Sequence, residues 1–328
     1  MTVLNASIGF AEESTYGTPV TPTKFFEFNS ESLKKVPGRS ESKGHRAGQR
    51  VMRADRHEPY HTGVTGSLEL DVPTKGFGIL LKHALGTASI STATDSNYTQ
   101  THIIGDLTSR YLTGQVNRQF QAGTDQAHTF HGLKIVAMEL SCDMDGVLVA
   151  SFEFDGEDED TGTALATVTY ASDTRVFSWA GGAVTIGGSS AEITGFRCRI
   201  ANALNTGRRY LRGSVLKKNP LENDFRTVEW ELKGLDHTAL TNYGRVIDLD
   251  RADNLAAIVA TFNGPVAHAG TTLPRLEITL PAARFDAVDG LSVSTFDPLS
   301  TTFSGIATDD DSAEPLTITY RTTDSAVV

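Results

Sequence analysis

Two five-residue segments, about half a chain apart, alternate apolar and acidic residues: Leu68-Glu69-Leu70-Asp71-Val72 and Val228-Glu229-Trp230-Glu231-Leu232. Successive side chains of a strand point to opposite faces, so each segment buries three apolar residues and presents two carboxylates on the other side. A slip of one residue would bury the charges, which pins the register of both strands. One strand of this kind is ordinary, since antiparallel sheets commonly keep one face wet. Two of them, each preceded by a basic polar stretch and followed by a similar series of elements, predict an internal duplication and a sheet with one acidic surface.

The rest of the composition agrees with a mainly β fold. The 328 residues suffice for two domains with packed cores, and 30 glycines with abundant Ser and Thr favour strands and turns over a helical bundle. A net charge of −11 argues against a protein that grips nucleic acid over its whole surface, because such binding needs clustered cations. Cys142 and Cys198 read as buried free thiols. The opening Met1-Thr2-Val3-Leu4-Asn5 lacks the pattern of a secretory signal, and no apolar run reaches the length of a bilayer span. The expectation is a soluble protein made in a reducing compartment, with no membrane partner.

Along the chain, residues 1–24 read as an extended or loop-like arm, and Phe25-Phe26-Glu27-Phe28 as the first strand. Residues 34–57 carry Lys34, Lys35, Arg39, Lys43, Arg46, Arg50, Arg53 and Arg56 among glycines and few apolar residues, so a long exposed loop or extended hairpin is expected. Phe77, Leu80, Leu81, Ala84 and Leu85 repeat at helical spacing, with Thr74 placed to cap the start and Gly86 the end. Residues 87–106 read as a Ser/Thr-rich loop and Tyr111 to Phe120 as a strand. Leu133 to Leu140 and Val147 to Phe154 form a hairpin turning at Asp143-Met144-Asp145-Gly146. The acidic run 157–160, which closes this half, reads as a solvated loop.

The second half repeats that order. Ile193 to Ile200 is a strand, and residues 202–219 are basic again, with Arg208, Arg209, Arg212, Lys217 and Lys218. The acidic strand 227–232 follows, then a short helical turn from Asp236 through Tyr243, then a strand over Leu255 to Phe262. Leu276 to Leu280 and Leu291 to Phe296 pair as a hairpin turning at Asp289-Gly290, and Asp309-Asp310-Asp311 echoes the earlier acidic run.

Catalytic signatures are hinted at and fail on physical grounds. His57-Glu58-Pro59-Tyr60-His61 spells the zinc-protease motif, which needs a helix to set both histidines on one face. Pro59 inside such a helix would cost about 3 kcal/mol, so a chance match in a loop is expected. Asp143-Met144-Asp145-Gly146 lacks the closing acid of a calcium loop, and Gly181-Gly182 and Gly187-Gly188 lack the lysine of a phosphate loop, so all three read as turns. No catalytic residue, metal site or cofactor is expected.

Ile8-Gly9-Phe10-Ala11-Glu12-Glu13-Ser14-Thr15-Tyr16-Gly17-Thr18-Pro19-Val20 resembles the opening of the tail tube (major tail) proteins of long-tailed bacteriophages. The likeness continues in His61-Thr62-Gly63, in Leu85-Gly86 at the helix end and in Gly132-Leu133-Lys134-Ile135, and covers most of residues 1–160. It implies a tandem, duplicated tail-tube-type β-sandwich or barrel, each copy with a short helix, divided as an arm 1–24 and domains 25–165 and 166–328. It implies a virion protein, assembled in the host cytoplasm, that forms stacked rings for the passage of double-stranded DNA and meets other tail proteins. Two copies per chain favour a trimeric ring with six quasi-equivalent places, a plain hexamer being the alternative. In such a ring Glu69, Asp71, Glu229 and Glu231 would face the lumen and repel DNA without binding it. The two basic stretches would contact acidic patches of the next ring. The competing expectations are another virion or surface β-protein, such as a minor tail or adhesin module, and a metal-dependent hydrolase using His57 and His61.

Overall fold

The computed structural model describes residues 5–91, 95–120, 123–236, 241–247, 254–289 and 300–327. It is mainly β, with 52% strand and 7% helix. The first half carries β1 (Ser7–Glu12), β2 (Lys24–Phe26), β3 (Ser30–Glu31), β4 (Lys34–Glu41), β5 (His57–Asp71), α1 (Gly78–Leu85), β6 (Gly86–Ile90), β7 (Tyr98–Ile104), β8 (Leu112–Asn117), β9 (Ala127–Asp143), β10 (Val149–Gly156) and β11 (Asp158–Asp160). The second half carries β12 (Gly182–Ile186), β13 (Ser189–Ala191), β14 (Gly195–Ala201), β15 (Leu204–Asn205), β16 (Leu221–Glu222), β17 (Thr227–Asp236), α2 (Thr241–Ile247), β18 (Leu255–Asn263), β19 (Arg275–Asp289), β20 (Ser300–Ala307) and β21 (Thr317–Thr322).

Pairing is antiparallel throughout, and its order recurs. In the first half the neighbours run β2–β1–β8–β9–β10–β5–β3. In the second they run β13–β12–β18–β19–β20–β17–β14. Beyond β10 and β20 the chain returns as β11 and β21 along the same edge of β9 and β19. Each acidic strand is followed by a helix. The first half adds the β6–β7 hairpin, and β7 pairs with β21. The halves are joined edge to edge: residues 137–143 of β9 pair with β14, so β5–β10–β9–β14–β17–β20–β19 is one continuous sheet.

The apolar alternation dictates which face is covered. Leu68, Leu70 and Val72 are fully buried, as are Val228, Trp230 and Leu232 to within 3%. On that side α1 packs against β9, β6 and β7, and at its N-cap the Phe77 ring lies 6.0 Å from Phe152 of β10 and 6.2 Å from Tyr320 of β21. Trp230 meets Phe285 edge-on at 4.7 Å in the second half. α1 is buried almost all round, which explains its near-continuous apolar sequence Gly78-Ile79-Leu80-Leu81. Gly86, at φ 104°, ends it with an N–H donated to the Lys82 carbonyl.

Several expectations need correction. The arm 1–24 contains β1, a strand buried on both faces and therefore without alternation. The first strand read at Phe25–Phe28 is β2, ending at Phe26. Thr74 does not cap α1, whose N-cap is Phe77; the Thr74 hydroxyl accepts from the Arg175 N–H at 3.0 Å instead. Residues 87–106 include the β6–β7 hairpin, polar in sequence because its wet face is. The acidic run 157–160 includes the paired strand β11, with Glu157 and Glu159 largely shielded. His57–His61 lies at the start of β5 and not in a loop, where it pairs with Pro37–Glu41. The expected strand Leu291–Phe296 and the side chain of Asp236 lie outside the described residues. The strands at 67–72, 133–140, 147–154, 193–200, 227–232 and 255–262, and the hairpin form of 34–57, are present. Cys142 and Cys198 are buried free thiols, and burial pushes them up to about 11 and about 12.

Candidate functional site

The uncovered face of the continuous sheet is charged, and strand register sets its order. Across one row lie Glu69, Ser151, Glu139, Arg199, Glu229 and Ile306 on successive strands. The next row holds Asp71, Val149, Ser141, Arg197, Glu231 and Ser304. Glu69 and Glu229 are exposed, and Asp71 and Glu231 are half-buried on the same side. The four acids singled out from sequence thus share one face, opposite the core.

Sequence reasoning missed what lies between them. Arg197 reaches Glu139 at 2.7 Å and Glu231 at 3.7 Å, and Arg199 reaches Glu153 at 3.2 Å and Glu229 at 3.8 Å. Both arginines stand on β14, where the two halves meet, and draw acids from β9, β10 and β17 together. Their carboxylate partners hold Arg197 above its ordinary range, Glu139 contributing most. The signal was present in Phe196-Arg197-Cys198-Arg199-Ile200, Met138-Glu139-Leu140 and Phe152-Glu153-Phe154, which alternate as the acidic segments do but carry fewer or opposite charges. Carboxylates still outnumber guanidiniums on the central strands of this face.

One end of the sheet is cationic. β5 begins there, and residues 42–56 form the exposed loop of the β4–β5 hairpin. Lys34, Arg39, Lys43, Arg46 and Arg50 are exposed, while Arg53 pairs with Asp55 and Lys35 with Asp158 at 2.5 Å. The second basic stretch folds back beside the first, with Arg209 5.9 Å from the Tyr60 ring centroid. Arg209, Arg212 and Lys218 are exposed and Arg208 is half-buried. Lys217 departs from the expected inter-ring role: it is 2% exposed and paired with Asp155, itself 4% exposed. Burial drives the Asp155 carboxyl up, and Lys217 opposes it. This lysine ties the insert between β14 and β17 to β10.

The opening phrase has a structural use at the same end. The Glu13 carboxylate accepts N–H groups from Gly17 at 3.0 Å and Gly132 at 2.9 Å, and the Thr113 hydroxyl at 2.8 Å. Burial nonetheless pushes its carboxyl up to about 7. Tyr16 packs edge-on against Tyr111 at 5.8 Å. The Glu13–Tyr16–Gly17 turn is therefore clasped to the point where β9 crosses Gly132, which takes φ 63°.

The opposite end carries the β9–β10 turn, closed by the Gly146 N–H on the Asp143 carbonyl at 3.0 Å. Beside it is a groove of about 360 Å³ lined by Cys142, Met144, Trp179, Val184, Ile193 and Phe196, among others. On β5 the two histidines of His57–His61 share a face while Glu58 points to the other. Among the described residues no group of three His, Cys, Asp or Glu side chains is set to hold a metal ion, and no helix is long and apolar enough to cross a membrane.

A family model described as phage tail tube protein matches residues 4–235, more than two thirds of the chain, from β1 through β17. Comparison with curated proteins returned no match.

Proposed function

The chain belongs to the phage tail tube protein family, and on that premise we propose that three copies close into a ring and that rings stack into the pipe for DNA. Membership makes it a structural protein of the phage tail that assembles into a tube. The observation that carries the finer reading is the β9–β14 joint between two halves of like strand order. In that order β3 occupies the place of β14 and β19 that of β9. Among the described residues β3 pairs with β5 alone, and Ala287 and Val288 near the end of β19 pair with β20 alone. Pairing the end of β19 in one subunit with β3 of the next repeats the internal joint between chains. Such a contact is heterologous and closes into a ring when the rotation permits. Domains 25–165 and 166–328 then fill one quasi-equivalent place each, two per chain and six per ring.

Closing this sheet into a barrel also selects the lumen. α1 and strands β1, β2 and β8 lie on the core side and need the larger radius outside, so the uncovered face turns inward. Glu69, Asp71, Glu229 and Glu231, with Glu139 and Glu153, then line the bore. Duplex DNA carries a charge about every ~1.7 Å, and screening confines repulsion to roughly 8 Å of the wall. The lining prevents adhesion and does not propel the DNA. The role is not enzymatic. Assembly takes place in the host cytoplasm, and other tail proteins cap the ends. A tube reconstruction by electron microscopy tests this reading: three chains per ring with β19 beside β3 are expected. Six separate chains per ring overturn the count, and the acids on the tube exterior overturn the lining.

A further inference from the structure

Resting on the stacked-ring reading, we infer that the apolar tip of the β4–β5 hairpin, Val51-Met52, docks into the Trp179–Met144 groove of a copy in the adjacent ring. Val51 and Met52 are 84% and 54% exposed and are the large apolar side chains of a loop otherwise made of cations, polar residues, glycine and alanine. Lys43, His45, Arg46, Arg50, Arg53 and Arg56 surround an open space of about 550 Å³ within the loop, so its two apolar side chains have no core of their own. At the other end of the sheet Trp179 and Met144 are 47% and 59% exposed over a lining that includes Val184, Ile193 and Phe196. Each surface lacks an occupant that the other supplies.

Charge and topology choose a second copy as that occupant. The groove is rimmed by Asp143 and Glu192, with Asp145 in the same turn, and its neighbouring cation Lys233 is already paired with Asp143 at 3.1 Å. The hairpin brings Arg46 and Arg50 beside its apolar pair, so cations would meet acids around an apolar contact. The loop leaves β5 at His57, whereas the β9–β10 turn lies where Asp71 faces Val149. Fifteen residues of strand separate the two, a distance of roughly 45 Å. The loop cannot reach the groove of its own chain, but it points away from the sheet toward a copy stacked end to end. Repetition of one head-to-tail contact yields an open filament of rings.

The test uses the full chain. Cysteines replacing Met52 and Met144, with Cys142→Ser removing the native thiol that lines the groove, should give a disulfide-linked ladder when assembled tubes are oxidised with copper phenanthroline. M52D and W179D should each raise the concentration needed for tube growth by about tenfold or more, with unchanged thermal melting of the subunit. Tubes forming at the wild-type threshold from both variants, with no ladder, overturn the inference and leave the tube reading standing. A defect in W179D but none in M52D assigns the groove to another segment or tail protein and also overturns it. A wild-type chain that forms no tubes refutes the proposed function, and the inference falls with it.

Discussion

The Arg197 guanidinium lies 2.7 Å from the Glu139 carboxylate, and the two residues belong to strands from different halves of the chain. Beyond Arg197 stands Glu231, at 3.7 Å, so one cation bridges acids on either side of the joint. The consequence is that the four acids singled out from sequence are not equivalent. Among the described residues Glu69 and Asp71 have no arginine partner, Asp71 accepting from Asn29 at 2.8 Å, whereas Glu229 and Glu231 each face an arginine.

Charge reversal should separate the two pairs. Glu69→Lys should change stability by no more than about 0.5 kcal/mol, as for an exposed site, and Asp71→Lys should cost about 1 kcal/mol for the lost Asn29 hydrogen bond. Glu229→Lys with Glu231→Lys should cost about 1–2 kcal/mol, since each replaces an ion pair by a repulsion. Urea unfolding measures both. On the proposed lining all four reversals together should slow genome ejection and make it more salt-dependent. Ejection unchanged across salt concentrations would count against the lining.

The Lys217–Asp155 pair should behave as a buried ion pair. Lys217→Met alone leaves an uncompensated carboxylate at a 4% exposed site and should cost about 3–5 kcal/mol. Adding Asp155→Leu should recover most of that loss. A single variant as stable as the wild type would show the insert between β14 and β17 to be held elsewhere.

Acid sensitivity should concentrate at Glu12. His83, its Nε2 3.6 Å away, and after it Lys82 at 2.8 Å hold its carboxyl down to about 2 against the opposing effect of burial. A depressed carboxyl gives stability that is present above its ordinary pKa near 4.5 and lost as pH falls through about 2. Discounted for its partial exposure, the contribution is about 1–2 kcal/mol. Between pH 6 and pH 2 the wild type should therefore lose about that much more stability than Glu12→Gln. Parallel curves for the two proteins would refute the assignment.

Gly132→Ala should cost about 2–3 kcal/mol, because φ 63° disfavours a side chain and its Cβ would lie 2.9 Å from Glu157 and 3.0 Å from Tyr16. Gly48, at φ 83° with nothing near its missing Cβ, is the control and should cost about 1 kcal/mol on conversion to Ala. Equal melting shifts in the two variants would mean that crowding at the Glu13–Gly132 clasp plays no part.

Alternation made much of this protein legible without a structure. Leu68-Glu69-Leu70 and Val228-Glu229-Trp230 fix which side of the sheet is dry, because burying either carboxylate unpaired would cost more than the strand gains. The helical spacing of Phe77 to Leu85 and the turn at Asp143–Gly146 are local in the same sense: the residues that decide them are neighbours in the chain. Family membership was legible too, through a phrase whose Glu13 and Gly17 meet in one clasp.

A strand without a wet face was hidden. β1 is buried on both sides, so Ser7–Glu12 shows no period and reads as part of the arm, whereas β8, equally buried, lies within the strand read at Tyr111 to Phe120, its Thr113 satisfied by the distant Glu13. Sequence determined the strands, their faces and the two basic stretches. Tertiary structure alone decided that Lys217 is interior, that Arg197 and Arg199 sit among the acids, and that cationic and apolar-grooved ends are opposed. Each of those depends on which strand edges meet across more than fifty residues, and edge pairing uses backbone groups that every sequence shares.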